Sequence, residues 1–341
     1  MKKLRIGTIN WDAVLPKSTY FGGYTVRNLG NEKYKSRLHF SANKYNGEYD
    51  FHYRTQEEYD KELQYAIDGG IDFFAYCWYP DSNEKRNIWH ENKEYEFLMP
   101  HYPELNTARH LYQTSKLNKK IKMCAIIFSC SAYAESDFDA LVAAMNENYY
   151  EKIDGKPLVI VFGGYSAEFV KIIRECFYAR KITPYIALID NSGRENPDGA
   201  CNGIDAVTAY ASVCSASSFS ELNKHCNEEN YNRLHYKLPV IPLMTVGWNP
   251  SPRVDNPSPW VKYNDVAYAG TPDISDIKEG FSLICDFISN NKEYATTGCA
   301  IVFAWNEFEE GGYLCPTINE DGSVNDRIIK DFAIARKEAL D

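Results

Sequence analysis

Three carboxylates lie within four positions near the end of the chain, at Glu307, Glu309 and Glu310. The i, i+3 spacing of Glu307 and Glu310 would place both side chains on one face of a helical turn, with β-carbons about 5–6 Å apart. Carboxyl groups about 5–5.5 Å apart suit glycoside hydrolysis with retention of configuration, whereas inversion requires about 6.5–9.5 Å. In an extended segment the two side chains would point to opposite faces. An acidic cluster is also typical of a solvated helix start, which the helix dipole favours.

Cleavage of a glycosidic bond would require the two carboxyl groups to differ in protonation. The glycosidic oxygen leaves poorly unless it is protonated, so one carboxyl group must stay neutral at about pH 7. The other must be ionised to support oxocarbenium character at the anomeric carbon. The ionised group could act as a base on the sugar 2-hydroxyl or as a direct nucleophile, and the sequence is compatible with both. Glu309 could point into solvent or raise the pKa of a neighbouring carboxyl group by like-charge repulsion.

The glutamates follow an apolar run whose β-branched and aromatic side chains predict a buried strand of a parallel sheet. Catalytic groups of α/β barrels lie at the C-terminal ends of such strands. Strands are predicted over residues 5–10, 71–78, 121–128, 157–162, 184–189, 204–210, 240–246 and 299–305. Helices are predicted over residues 56–68, 105–117, 137–149, 167–180, 218–234, 276–290 and 325–340.

Strands that alternate with helices require parallel pairing and right-handed crossovers. Eight such units predict an α/β fold, a single (β/α)8 TIM barrel over residues 1–341. An open doubly wound sheet is the alternative, but no G-x-G-x-x-G follows the first strand and the chain has no P-loop. Residues 11–55 and 247–272 are predicted to be long loops at the C-terminal face of the barrel, where such loops build binding clefts.

Substrate-binding candidates lie at the predicted strand ends and in these loops. Four Trp residues at strand ends could stack on sugar rings or belong to the core: Trp11, Trp78, Trp248 and Trp305. The remaining candidates are Tyr79, Asp190, Tyr210, Arg253 and Asn306. The planar guanidinium of Arg253 could bind substrate hydroxyls, or it could fix its loop through a salt bridge. Asp190 also begins a sequence, Asp-Asn-Ser-Gly, that is typical of a turn.

The composition excludes several classes of partner. The chain has 37 basic and 47 acidic residues, and the resulting net charge of −10 argues against binding to nucleic acid or to anionic membranes. No apolar stretch approaches the ~18 residues of a membrane span. The ten Cys residues form no C-x-x-C pair and the N-terminus lacks an apolar signal region, so a reducing cytoplasmic location is expected. The seven His residues form no H-E-x-x-H motif, and we expect no metal.

Residues 304–311, with the sequence AWNEFEEG, resemble the W-N-E-W-x-E-G signature of glycoside hydrolase family 99, the endo-α-mannosidases and endo-α-mannanases. Residues 247–253 resemble the G-W-D-N-x-P-R motif of the related WbsX-like domains, and residues 70–79 are similar to their second-strand pattern. These matches occur in family order and span most of the chain. Three positions depart from the family pattern: Asn249, Phe308 and Glu309.

The resemblance implies a (β/α)8 retaining glycosidase that acts on a carbohydrate without a metal or organic cofactor. It implies that Glu307 acts as base toward the sugar 2-hydroxyl, and that Glu310 protonates the leaving oxygen and later activates water. The departures leave the sugar open. Two alternatives remain: a glycosyl-transferring enzyme of polysaccharide assembly, for which no metal-nucleotide motif of the D-x-D type is recognisable, and a barrel that only binds glycans. Nothing in the sequence indicates the oligomeric state.

Overall fold

Eight parallel strands form a barrel at the centre of the molecule. The computed structural model describes residues 3–45, 47–83, 101–131, 133–163, 167–190 and 203–340. The barrel strands are β1 (Arg5–Asn10), β2 (Phe73–Cys77), β3 (Lys122–Phe128), β4 (Lys156–Phe162), β5 (Tyr185–Ile189), β6 (Ala206–Thr208), β7 (Leu243–Thr245) and β8 (Cys299–Phe303). Each strand from β1 to β5 pairs with the next one in the chain, β7 pairs with β8, and β8 pairs with β1. The predicted (β/α)8 barrel is therefore confirmed.

The barrel closes between β6 and β7 through residues that precede β7. Val207 forms a parallel bridge with Val240, and its carbonyl accepts a hydrogen bond from the amide of Ile241 (2.9 Å). The interior is apolar because almost every strand residue is buried. Strands β2, β5 and β8, for example, are buried at every position. Such continuous apolar runs are typical of parallel strands that are covered on both faces.

Helices surround the barrel. They are α1 (Tyr20–Leu29), α2 (Gln56–Asp68), α3 (Thr107–Thr114), α4 (Glu135–Asn146), α5 (Ala167–Ala179), α6 (Phe219–Asn232), α7 (Ser251–Asp255), α8 (Ile274–Asn290) and α9 (Arg327–Leu340). Short 3-10 helices cover Lys35–Arg37, Pro103–Asn106, Lys116–Lys119 and Arg233–Tyr236. Two-stranded pairs join Asn43–Tyr45 with Glu48–Asp50, Asn306–Glu307 with Gly312–Tyr313, and Thr317–Ile318 with Val324–Asn325. Lys152–Ile153 pairs with the start of β4. None of the helices within the described residues is both long and apolar enough to cross a membrane.

Helix α2 illustrates how local sequence sets these bounds. The Thr55 side chain accepts a hydrogen bond from the amide of Glu58, which caps the start of the helix. Tyr59 and Leu63 lie on its buried face. Gly70 lies just after the helix. Its φ of +79° is the left-handed conformation that glycine adopts without strain. The observed bounds of α2 equal the predicted ones.

The prediction that residues 11–55 form only a loop is wrong. Helix α1 lies inside this segment and is capped at its start by Thr19, whose side chain accepts a hydrogen bond from the amide of Gly22 (3.1 Å). The sequence pattern hides this helix because Gly-Gly in a helix interior costs about 1 kcal/mol per residue relative to Ala. Glycine is nevertheless required here, since a β-carbon at Gly22 would lie 2.1 Å from the carbonyl oxygen of Pro16. Helix α7 likewise lies in the predicted loop 247–272.

Candidate active site

A tight hairpin follows β8 and carries the three glutamates. Asn306–Glu307 pairs antiparallel with Gly312–Tyr313, and the amide of Glu310 donates to the carbonyl of Glu307 (3.1 Å). A hairpin turn thus replaces the predicted turn of a helix, but this i, i+3 hydrogen bond keeps one helix-like turn within it. The three glutamates are 4%, 2% and 7% exposed, in chain order. They are not a solvated cluster.

Arg253 joins two of these carboxylates. Its Nη1 donates to Oε1 of Glu310, and its Nη2 contacts Oε2 of Glu309 at 3.4 Å. Burial would lower the pKa of Arg253, but the negative charges of Glu310 and then Glu309 raise it above its ordinary value. The salt-bridge role that the sequence allowed for Arg253 is therefore confirmed.

Close backbone contact holds the loop that leads to Arg253 against the hairpin. Gly247, with φ of +156°, lies against Gly311, and a β-carbon at Gly247 would be 1.9 Å from the carbonyl oxygen of Gly311. The amide of Asn249 then donates to the carbonyl of Glu310 (2.6 Å). Helix α7, which contains Arg253, begins two residues later. The glycines thus allow the loop after β7 and the hairpin after β8 to form one unit.

Glu307 has the environment of a protonated carboxyl group. Burial, and next the charge of Glu310, raises the pKa of Glu307 to about 8, although Arg253 and a hydrogen bond from Tyr210 oppose the shift. The Tyr210 hydroxyl donates to Oε1 of Glu307, so the predicted site residue Tyr210 does reach the pair. The raised pKa favours the protonated form of Glu307 at neutral pH.

Glu310 has two donors of its own. Its Oε1 accepts hydrogen bonds from Arg253 and from the hydroxyl of Tyr263 (2.7 Å). Charge-assisted bonds of this kind stabilise the anion. The two carboxyl groups therefore differ in their donors, a phenol at Glu307 and a guanidinium with a phenol at Glu310.

Glu309 is a structural partner of helix α1. Its carboxylate accepts hydrogen bonds from Oγ1 of Thr25 (2.9 Å) and from the side-chain amide of Asn28. Together with Arg253 these contacts satisfy a carboxylate that is almost entirely buried. The alternative that Glu309 points into solvent is wrong. Its charge instead contributes to the raised pKa of Glu307, after burial and Glu310.

Three predicted substrate-binding residues are structural instead. Trp78 and Trp305 are 0% exposed, so their ring faces are not available to a sugar. Trp305 donates its indole N–H to Glu62 (2.6 Å), and the guanidinium of Arg109 lies 3.9 Å from the Trp78 ring centre. The stacking predictions for these two residues are wrong.

Asn306 is the third correction. Its side-chain amide donates to the carbonyl of Trp11 (2.6 Å), and its Oδ1 accepts from the amide of Trp11 (3.0 Å). These two bonds tie the segment after β8 to the end of β1. Because Asn306 is also 0% exposed, it positions the hairpin and does not face a substrate.

Trp11 and Trp248 lie beside residues that bind the carboxylates, and Tyr79 contacts Trp11. Trp11 donates its indole N–H to the Tyr79 hydroxyl (3.0 Å), and the guanidinium of Arg253 lies 6.0 Å from the Trp11 ring centre. Trp248 contacts the ring of Tyr263 edge-on at 5.5 Å. Burial and then nearby charges, including that of Glu307, raise the pKa of Tyr79. A substrate contact by any of these rings stays a prediction.

Asp190 lies at the end of β5, and its contacts point to the segment after α6. Its carbonyl accepts from the Arg233 side chain (2.8 Å), and its Oδ2 accepts from the Tyr236 hydroxyl (3.1 Å). Its neighbour Asn191 lies outside the described residues. A substrate contact by Asp190 therefore stays a prediction.

Several residues of the site have no sequence signal. Tyr263 lies in the middle of the loop after β7, and Thr25 and Asn28 lie on the helix that the glycine pair conceals. Their positions follow from tertiary contacts between loops that are far apart in the sequence. Only their location in segments predicted to form the barrel mouth could have suggested them.

One group of potential metal ligands occurs within the described residues. His39, Glu62 and Cys315 are buried, and their ligand atoms lie within 4.8 Å of one another. Both oxygens of Glu62 already accept hydrogen bonds, one from Trp305 and the other from His39 (2.8 Å) and Tyr53 (2.6 Å). We therefore assign this group a structural role, in which Glu62 links α2 to Trp305 and His39.

Comparisons with known proteins find solved structures with a similar fold. No family model matches this sequence, and no curated protein sequence matches it. Two solved structures of the GH99 endo-alpha-mannosidase from Bacteroides thetaiotaomicron, one in complex with Bis-Tris-propane, are similar in structure. Their TM-scores are 0.59 and 0.60 at 11% identity, and the matches cover 98% and 99% of this chain and 97% and 98% of those chains. The chain therefore has a GH99-like fold, as the motif resemblance predicted.

Proposed function

We propose that this protein is a glycoside hydrolase that cleaves an O-glycosidic bond of an oligo- or polysaccharide with retention of configuration. The observation that supports this most is the pair of buried carboxyl groups, Glu307 and Glu310, in opposite protonation environments after β8. Their place at the C-terminal end of a barrel strand is where α/β barrels hold catalytic groups. The GH99-like fold adds independent support.

We assign the resting proton to Glu307. In the first step its O–H protonates the glycosidic oxygen while the bond from that oxygen to the anomeric carbon breaks, and the aglycone leaves as an alcohol. The anionic Glu310 either attacks the anomeric carbon and forms a glycosyl ester, or removes the 2-hydroxyl proton so that the 2-oxygen bonds to the anomeric carbon. In the second step the Glu307 carboxylate takes a proton from water, whose oxygen bonds to the anomeric carbon while the bond from that carbon to Glu310, or to the 2-oxygen, breaks. On the route through the 2-oxygen, Glu310 then returns its proton to that oxygen.

This assignment is the reverse of the one that the motif resemblance implies for Glu307 and Glu310. It rests on the donors around each group, since Glu310 has a guanidinium and Glu307 has a phenol. Arg253 also retains a buried Nε without an acceptor among the described residues. That donor is suited to a substrate hydroxyl, in line with the second role that the sequence allowed.

A barrel that only binds glycans is the second candidate function. The ion pairs of Arg253 with Glu309 and Glu310 favour it, because they would hold the loop after β7 even if no reaction occurred. The two candidates differ in whether either carboxyl group is needed for turnover.

The test compares wild type with Glu307→Gln and Glu310→Gln on a panel of oligosaccharides, with released reducing ends as the readout. We expect each variant to lose about 10²–10⁴-fold in turnover. Glu151→Gln is the matched control, since Glu151 is also buried and paired with Arg5 (2.9 Å), but at the opposite end of the barrel. Equal turnover in all four proteins would contradict the catalytic roles of Glu307 and Glu310.

A further inference from the structure

Five aromatic side chains form a cluster at the surface, which we call the rim aromatic cluster. Its members are Tyr20, Phe21, Tyr24, Tyr102 and Trp260. Trp260 lies at its centre, with ring centres 4.9 Å from Phe21, 5.1 Å from Tyr24 and 5.9 Å from Tyr20. Tyr20 is 43% exposed and Trp260 is 39% exposed, so these rings present free surface to solvent.

The rim aromatic cluster lies on the same face of the barrel as the glutamates. Its members belong to the segments that follow β1, β2 and β7, and the C-terminal ends of parallel strands meet at one face. The cluster also continues inward. The Phe21 ring is 5.9 Å from the Trp11 ring, and the Trp11 ring faces Arg253, which binds Glu310. A continuous path of aromatic rings therefore leads from the surface to the carboxylate pair.

The composition of the cluster fits a sugar chain. Trp260 is the exposed Trp among the described residues, whereas the strand-end Trp residues are 0% to 8% exposed. A pyranose ring has one face of C–H groups that can stack on an aromatic ring, while its hydroxyl groups remain in water. Tyr and Trp provide such a surface with a polar edge.

We propose that the rim aromatic cluster is a glycan subsite, on which one sugar residue of the substrate stacks against Trp260 and Tyr20. This inference rests on the proposed function for its link to catalysis. It implies that the substrate is a chain of several sugar residues, because the subsite is separated from Glu310 by Arg253, Trp11 and Phe21. A disaccharide at the carboxylate pair would not reach it.

Affinity electrophoresis tests the binding step without any need for turnover. Wild type, Trp260→Ala and Tyr178→Ala are run in native gels that contain yeast α-mannan, xylan, dextran or no polymer. Tyr178 is the matched control, since it is 50% exposed and lies on α5, away from the cluster. We expect one polymer to retard wild type and Tyr178→Ala, and to retard Trp260→Ala several-fold less. Equal retardation of all three proteins, or no retardation of wild type in any gel, would overturn the proposal.

Kinetics separate this inference from the proposed function. With a long oligosaccharide, Trp260→Ala should raise KM several-fold and leave kcat near wild type, whereas with a short aryl glycoside both constants should be unchanged. Retardation that depends on Trp260, without hydrolysis of any substrate, would keep the subsite and remove the proposed function. Hydrolysis of long chains with a KM that is independent of Trp260 would keep the proposed function and remove the subsite.

Discussion

The protonation of single carboxyl groups decides what this site can do. Glu307 is buried and receives one phenolic hydrogen bond, while Glu310 receives hydrogen bonds from a guanidinium and a second phenol. The sequence identified both groups because they follow a strongly apolar strand. It could not predict which of them holds the proton, because Tyr210, Arg253 and Tyr263 reach them from other loops.

The stability of the protein should depend on pH through Glu307. Its pKa is about 8 in the folded state against 4.5 for the free side chain, so between these values the unfolded chain loses a proton that the folded protein keeps. The free energy of unfolding should therefore fall as pH rises across this window, by up to about 1.4 kcal/mol per pH unit. Glu307→Gln cannot titrate and should lack this dependence. Urea titrations of both proteins from pH 5 to about pH 8 measure the difference, and a difference that stays constant would contradict the prediction.

Arg253 is expected to contribute to stability as well as to chemistry. Arg253→Met would leave Glu309 and Glu310 buried without a counter-charge, and such a loss costs about 3–5 kcal/mol. Adding Glu309→Gln removes one of the two uncompensated charges and should restore part of the loss. Thermal or chemical unfolding of the single and double variants measures both effects. A loss below about 1 kcal/mol, as for a surface ion pair, would show that Arg253 is not a buried counter-ion.

At the scale of elements, the barrel strands were predictable and the loops were not. Buried parallel strands have continuous apolar sequences, so all eight were recognised, although the observed β6 is shorter than the predicted residues 204–210. Gly22 and its neighbour conceal helix α1, and the spacing of the glutamates predicts a helical turn where the structure has a hairpin. The conformation of that hairpin depends on the backbone of the loop after β7, which no local pattern encodes.

One methyl group added at Gly247 should break the contact between the loop after β7 and the hairpin after β8. Gly247→Ala would place a β-carbon 1.9 Å from the carbonyl oxygen of Gly311, so the loop must move and Arg253 must move with it. We expect reduced stability and loss of most glycosidase activity. Gly270→Ala is the control, because Gly270 lies in the same predicted loop and a β-carbon there meets nothing within 4 Å. Comparable activity of the two variants would contradict the role of this contact.

At the scale of the whole molecule, the fold and the motifs agree. Strand order and strand ends predict the eight-stranded barrel and the position of the glutamates after β8, and the motif resemblance implies the GH99-like fold. The stacking roles of Trp78 and Trp305 were not correct, since strand-end Trp residues turned inward and the exposed aromatic rings came from loops. Burial of a side chain is a property of the assembled barrel, and a strand-end position alone does not determine it.

The stereochemistry of the reaction is a prediction about the molecule as a whole. Because both carboxyl groups lie within one tight hairpin, we expect the short separation of about 5–5.5 Å that accompanies retention. Proton NMR of a freshly started digest reports the anomeric configuration of the first product before it equilibrates. A product with the same configuration as the cleaved bond is expected, and the opposite anomer would exclude the two-step route.

The pH dependence of kcat/KM on an oligosaccharide substrate tests the central assignment most directly. If Glu307 is the group that protonates the leaving oxygen, activity of the free enzyme should fall as pH rises through about 8. Glu307→Gln should retain no such falling limb. A profile that instead rises through the same pH would mean that Glu307 must lose its proton before it acts, and would contradict the account.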